Sequence, residues 1–317
     1  MSAVLLRRIY HVSRPMKARS ESITYKELKL IDYPVVGSPK LDGFRALICK
    51  DGVHTASMKK VANQFTQKEI ARYGIKYLIG LDGELIVGRP NDPDAFHNSS
   101  GPLRRVEGEP DFRFYVFDDF SFPKKTYQER WIDYVKDYKE LHPRIVILKQ
   151  TILNSPKEVI KFEKKMRKLG YEGIIIRSLT APYKQGRVTF REGYIFKRKH
   201  FIEMEAKIIG FEEQMENTNK KTKNAMGLST RSSHKSNLRE KNTLGNFILK
   251  SKKWKLPFSC GTGKGLTDEL RKKIWGNQRK YKGMIITFKY QAYGSIDGPR
   301  QPIFLRFRPK WDLSEKV

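Results

Sequence analysis

The 317-residue sequence has only two cysteines, Cys49 and Cys260. Two thiols cannot form a disulfide framework or a zinc cluster, which points to a reducing, intracellular and cytoplasmic setting. No apolar run approaches the roughly 20 residues that a membrane span needs, so no membrane association is expected. Residues 1–30 lack a continuous apolar core followed by a small-residue cleavage site, so they do not read as a secretion signal. Repeats and heptads are missing. Acidic residues are also few, with 34 Asp and Glu against 64 Lys and Arg, a net charge of +30. That imbalance suits a polyanionic partner, of which nucleic acid is the commonest soluble one.

What is present alternates between strands and helices up to Lys199 and then turns to β. Residues 1–25 read as a flexible or edge segment. The run Tyr33–Val36 reads as a buried strand ending at Lys40, and Asp42-Gly43 reads as a turn. Asp51-Gly52 joins a hairpin between Arg45–Lys50 and Val53–Ala56. Leu78–Val87 reads as two short strands around Asp82-Gly83. Phe112–Phe117 is an aromatic strand, and a helix follows over about 126–140. Ser155, Pro156 and Glu158 form a helix start of the capping-box type, and Gly170 stops that helix. Tyr171–Arg177 and Tyr194–Lys199 read as further strands. Beyond Lys199, residues 203–211, 246–250, 284–290 and 302–307 read as strands. One helix is expected from Thr267 to about Tyr281, and 214–241 reads as a long, polar, basic loop. Several short strands with one helix suit a small barrel of the OB type.

Five short stretches then fall into one order. Lys40-Leu-Asp-Gly-Phe-Arg45 resembles the nucleotidyl-lysine motif of the covalent nucleotidyltransferases, which include DNA ligases, RNA ligases and capping enzymes. Asp82-Gly83-Glu84-Leu85 resembles their acidic motif, and Phe114–Asp118 their aromatic motif. Glu172–Arg177 resembles the Glu-Gly-apolar motif, and Lys197-Arg198-Lys199 the paired-lysine motif. Gly261–Glu269 is similar to the OB-domain turn and helix of ATP-dependent DNA ligases. The nearest likeness is to the compact, phage-type enzymes. It implies an α+β chain: a nucleotidyltransferase (ATP-grasp-like) domain with antiparallel sheets over 1–201, then an all-β OB-fold domain over 202–317.

The resemblance also implies roles. Lys40 is the nucleophile that takes AMP from ATP, and crowded cations are expected to lower its pKa. Arg45 contacts the nucleotide or the nick 3′ end. Glu84 is placed at the ribose and Phe117 against adenine, while Arg177, Lys197 and Lys199 serve the nucleotide and its phosphates. Glu172 is the ligand, directly or through water, for Mg²⁺ or Mn²⁺. Asp42, Lys59, Lys60, Arg231 and Lys235 are placed at DNA, and Arg306, Arg308 and Lys310 in a late basic motif. The implied activity is sealing of nicks in duplex DNA by a monomer. An RNA ligase or capping enzyme, or a non-catalytic nucleic-acid-binding OB protein, are the competing readings. One departure is clear: where related ligases carry an arginine that grips the nick 5′-phosphate, this chain has Ala56.

Overall fold

The computed structural model describes residues 14–72, 75–138, 142–224, 227–295 and 297–308. Apart from residues 225–228, the chain divides after Lys199 into two compact units.

The first unit contains two antiparallel-rich sheets. Its strands are β1 (Val35–Lys40), β2 (Phe44–Cys49), β3 (Gly52–Thr55), β4 (Leu81–Val87), β5 (Phe112–Asp119), β6 (Ile145–Ile147), β7 (Thr151–Leu153), β8 (Gly173–Ser178) and β9 (Ile195–Lys199). One sheet has the order β7-β1-β8-β9 and the other β3-β2-β4-β5-β6. The helix Pro156–Lys168 covers the first sheet with Val159, Phe162 and Met166 buried against Val35, Ile174 and Ile176. Ser155 caps it by accepting from the Glu158 amide, but the Glu158 carboxylate binds the Asn154 amide instead of closing a capping box. In the second sheet the alternate residues Ala46, Ile48, Leu81, Leu85, Phe112, Phe114 and Val116 form a separate core.

Several expectations need correcting. Asp42-Gly43 is not a hairpin turn: β1 and β2 belong to different sheets, so residues 41–43 carry the chain from one sheet to the other. Glycine is needed at 43 for close approach, because a Cβ there would lie 2.7 Å from Ile86 and 2.8 Å from Glu84. Leu78–Val87 is the end of a short helix, Ile75–Leu78, followed by one strand. Asp-Gly bends a chain only where backbone pairing permits, and here Asp82 and Gly83 are both paired to β2 and β5. Part of the supposedly flexible N-terminal segment is ordered. Met16, Ile23 and Leu28 are buried, and Thr24 with Glu27 forms a reciprocal capping box on the helix Tyr25–Leu28. The Ile23 amide donates to Lys197 O, so this segment lies along β9.

The second unit is a closed barrel, β10-β13-β14-β16-β15. Its strands are β10 (Phe201–Asn217), β13 (Leu238–Lys250), β14 (Phe258–Gly261), β15 (Ile285–Gln291) and β16 (Arg300–Phe307); the hairpin strands β11 (Lys221–Lys223) and β12 (Ser229–Arg231) stand apart. Phe247, Phe288, Phe304, Ile208 and Ile286 fill the interior. The helix expected to run to Tyr281 breaks at Asn277, giving Asp268–Gly276 and Gln278–Tyr281. Residues 214–241 are not one long loop. β10 and β13 extend into them, and β11 with β12 pairs Lys221 with Arg231. Few apolar side chains are needed, because the buried amide of Asn219 ties the segment by donating to Ser232 O and His234 O.

Candidate active site

Lys40 ends β1 directly opposite Gly173 on β8, and Gly173 lies opposite Lys199 on β9. The two lysines thus flank one glycine across three strands. A Cβ at Gly173 would lie 2.2 Å from Arg198 O, so no side chain can stand between them. Glu172, just before β8, forms ion pairs with both Lys40 and Lys199 and is buried. Two residues further along, Ser38 lies opposite Ile175, and Ile175 opposite Lys197. The two-residue period of a strand puts Ser38, Lys40, Ile175, Arg177, Lys197 and Lys199 on one face.

The second sheet faces the same cavity. Arg45 lies opposite Glu84. A bulge in β5 pairs Asp82 with Asp118 and Gly83 with Val116, so that Phe117 falls at the bulge between them. Bulges re-aim side chains, and Phe117 accordingly lines the cavity together with Lys40, Arg45, Glu84, Arg177 and Lys197. The cavity measures about 300 Å³, at the small end of ligand sites.

Charge in this cavity differs from the expectation in one respect. Burial pulls the Lys40 ammonium down, but contact with Glu172, with Glu84 and Asp42 farther off, outweighs it and raises the pKa. Burial would lift the Glu172 carboxyl, yet Lys40 and Lys199 hold it at about 2. Lys197 and Lys199 are lowered, first by burial and then by the neighbouring ammonium groups. The cation crowding foreseen for Lys40 is therefore felt by its neighbours, because Glu172 sits between.

Burial raises Glu84 to about 7, against the pull of Lys40 and Arg45. A carboxyl whose folded pKa exceeds its unfolded value of 4.5 keeps more protons when folded. Its contribution therefore favours folding at low pH and is lost as pH rises through about 7. Glu84→Gln should stabilise the first unit by about 2 kcal/mol at pH 8 and give no gain at pH 4, read by urea unfolding. An equal gain at both pH values would show that ionisation is not the cause.

Arg177 lines the cavity, but its guanidinium is anchored. It donates to Asp118 at 2.5 Å, while Arg130 binds the same carboxylate at 2.9 and 3.3 Å. Arg177 also lies 5.2 Å from the Phe117 ring centroid, so it braces that ring from within the protein. Its Nε is buried with no hydrogen-bond partner. Arg45 is likewise gripped by Asp82, at 3.0 and 2.6 Å, and Tyr183 donates to the same carboxylate at 2.7 Å. Sequence reasoning placed Asp82 and Asp118 within motifs but gave them no role, and it missed Arg130 and Tyr183; the signal of all four is buried polarity that only packing reveals. It also missed Lys17 and Arg187, two cations that line the cavity from segments without a motif.

Of the remaining expected residues, Asp42 is close enough to act on Lys40 and Lys199, and the others are not gathered here. Asp42 is buried beside Lys40 in sequence. Lys59 and Lys60 line a neighbouring cavity, with Lys60 paired to Asp51 at 3.3 Å. Arg231 and Lys235 are exposed in the second unit, where Arg231 donates to Asn219 O. Arg306 and Arg308 form ion pairs with Glu203 and Glu205 of β10 in that unit. Lys310 lies outside the described residues. Among the described residues no helix is long and apolar enough to cross a membrane.

Residues 237–308 match the family described as the DNA ligase OB-like domain. Solved structures share the fold over nearly the whole chain. A Chlorella virus DNA ligase-adenylate is 24% identical over 95% of this chain and 99% of its own, with a TM-score of 0.52. A structure of the Lig E DNA ligases is 21% identical over 92% and 99%, with a TM-score of 0.61. The chain has the DNA ligase fold. A protein designated Pmar-Lig extends the likeness, at 20% identity over 94% of this chain and 68% of that one, TM-score 0.69. No curated protein matches the chain by sequence. In this DNA ligase fold the barrel of the second unit is the OB-like domain, and the Lys40 cavity belongs to the unit that precedes it.

Proposed function

We propose that the chain is an ATP-dependent DNA ligase that seals nicks in duplex DNA, acting as a single chain. The observation that carries this is the row Lys40–Gly173–Lys199, closed by Glu172, with Lys40 lining a cavity together with Phe117, on a chain bearing a DNA ligase OB-like domain. Residues 1–201 act as the adenylation domain and 202–317 as the OB domain.

ATP fits the groups present. Phe117 offers a flat ring, and the unpartnered Arg177 Nε is a buried donor that a base acceptor would satisfy. Glu84, opposite Arg45, is the acceptor for a ribose hydroxyl. Lys197 and Lys199 meet the phosphates. Lys40 Nζ, once deprotonated, attacks the α-phosphorus; a P–N bond forms, the bond to pyrophosphate breaks, and the chain carries AMP. The AMP then passes to a nick 5′-phosphate, and the 3′-hydroxyl attacks that phosphate and releases AMP. Positioning and charge neutralisation dominate each transfer.

Among the described residues no cluster of three His, Cys, Asp or Glu side chains could cage a metal ion. Mg²⁺ more often uses one or two carboxylates together with substrate phosphates, and Glu172 fits that pattern. Held there, Mg²⁺ or Mn²⁺ would neutralise charge at the α-phosphate. Glu172 at rest keeps Lys40 protonated, so the resting pair restrains the nucleophile until nucleotide enters.

The test is to incubate the protein with Mg²⁺ and α-labelled ATP, look for acid-labile label on the chain, and chase it with nicked duplex. Label that passes to DNA with closure of the nick is expected. Absence of label from ATP, or label from GTP only, would overturn the reading. Arg231 and Lys235, both exposed on the basic hairpin region, contact DNA phosphates. Binding should fall linearly on a log–log plot against salt, and replacing both with alanine should reduce the slope by about 2. An unchanged slope would remove that segment from the DNA surface.

A further inference from the structure

We propose that Lys17 grips the 5′-phosphate of the nick, from the wall shared by two neighbouring cavities of the first unit. The inference rests on the ligase reading and assigns the phosphate acceptor within it. The backbone of Lys17 is fixed on both sides. Its amide donates to Gly186 O at 2.8 Å, and its carbonyl accepts from Val188 at 2.8 Å, beside the buried Met16. Its ammonium donates to Ala56 O at 3.2 Å. An ammonium has three donors, so this contact orients it while leaving capacity for phosphate oxygens.

The placement is what matters. Lys17 lines the cavity of Lys40 and also a second cavity of about 470 Å³, formed with Gly43, Phe44, Ala56, Lys59 and Arg104. When AMP moves to a 5′-phosphate, the two phosphates become joined through one oxygen. The accepting phosphate must therefore stand next to the α-phosphate held at Lys40. A cation common to both cavities meets that demand.

The other candidates are less suited. Arg45 lines both cavities, but Asp82 holds its guanidinium in a two-pronged pair at 3.0 and 2.6 Å. Arg187 lines the Lys40 cavity and not the second one. Lys60 is paired with Asp51. Ala56 has no charge of its own, yet its carbonyl brings a lysine from elsewhere in the chain to the same place. Burial lowers the Lys17 pKa, and Arg45 and Arg187 add to it, so a phosphate entering there would relieve repulsion among cations.

The test compares equilibrium binding of the full chain, in EDTA, to a nicked duplex with a 5′-phosphate and to the same duplex with a 5′-hydroxyl. The wild type should prefer the phosphate by about tenfold, as expected for one charge-assisted contact. Lys17→Met should reduce that preference to within about twofold, with binding to the hydroxyl nick little changed, while Lys17→Arg keeps most of it. Lys59→Met should weaken both duplexes alike, leaving the ratio intact. A full preference in Lys17→Met, or none in the wild type, would overturn the assignment. Labelling with ATP separates the two failures. If the wild type takes label while Lys17→Met keeps its preference, only the role of Lys17 falls. If the wild type takes no label, the ligase reading falls and this assignment with it.

Discussion

Lys40→Ala is expected to abolish transfer of AMP to the chain, with at least a 10⁴-fold loss of label, on the order seen when a catalytic nucleophile is removed. Alanine offers no nucleophile, and among the described residues no other amine occupies the same point. Lys199 reaches the same carboxylate but comes from β9, on the far side of Gly173. Lys40→Arg should be equally inactive, since a guanidinium keeps the charge yet cannot be deprotonated to attack. A control separates chemistry from folding. A nick that already carries AMP on its 5′-phosphate needs only the final attack by the 3′-hydroxyl, in which Lys40 forms no bond. Lys40→Ala should therefore still close such a nick, at a reduced rate. Label persisting in Lys40→Ala would place the nucleophile elsewhere. Loss of closure on the pre-activated nick would show that the variant has lost more than its nucleophile.

The second large effect concerns Asp118. Its carboxylate is fully buried and lies between Arg130 and Arg177. Burial would raise its pKa, but the two guanidinium groups outweigh this and hold it below the usual carboxylate range. Asp118→Asn removes the charge that these two buried cations share. Breaking one partner out of a buried ionic set costs about 3–5 kcal/mol, because the desolvated charge is left uncompensated. Unfolding of the first unit should move down by roughly 10 °C, measured by calorimetry. Nucleotide labelling should fall as well, because Arg177 braces Phe117. A shift below about 2 °C would mean that water or a rearranged side chain takes over the carboxylate's role. By contrast, replacing Arg130 and Asp118 together with apolar residues of similar volume should be milder than Asp118→Asn alone.

These two predictions mark how far the sequence was legible. Lys40, Glu84, Glu172, Lys197 and Lys199 stand in short motifs, and strand parity places the two late lysines on one face before any fold is known. Four of the five barrel strands were read from the sequence, Phe258–Gly261 escaping, and the helix after Ser155 was read from its cap. What escaped reading was long-range. Nothing local at Asp82 or Asp118 says that each will bind an arginine from another segment, since an acidic residue beside a strand is usually solvated. The basic stretch 214–241 looked unstructured because it has few apolar residues. Its order comes from Asn219, whose amide bonds to carbonyls 13 and 15 residues away. Lys17 sits in a segment without a motif, and only the backbone bonds to Gly186 and Val188 bring it to the cavity.

The direction of the Lys40 shift shows the same division. By itself the sequence determined which groups are present: a lysine at a strand end, two more lysines on a later strand, and a glutamate before a glycine. It determined the sign of the overall charge, which suits a polyanionic partner. Only the tertiary structure decided which of these groups touch. Gly173 leaves room for Glu172 to pair with both Lys40 and Lys199, which raises the Lys40 pKa, while burial and the neighbouring ammonium groups lower those of Lys197 and Lys199. Coulomb interactions fall off with distance and depend on burial, and neither quantity is written in the order of residues along the chain.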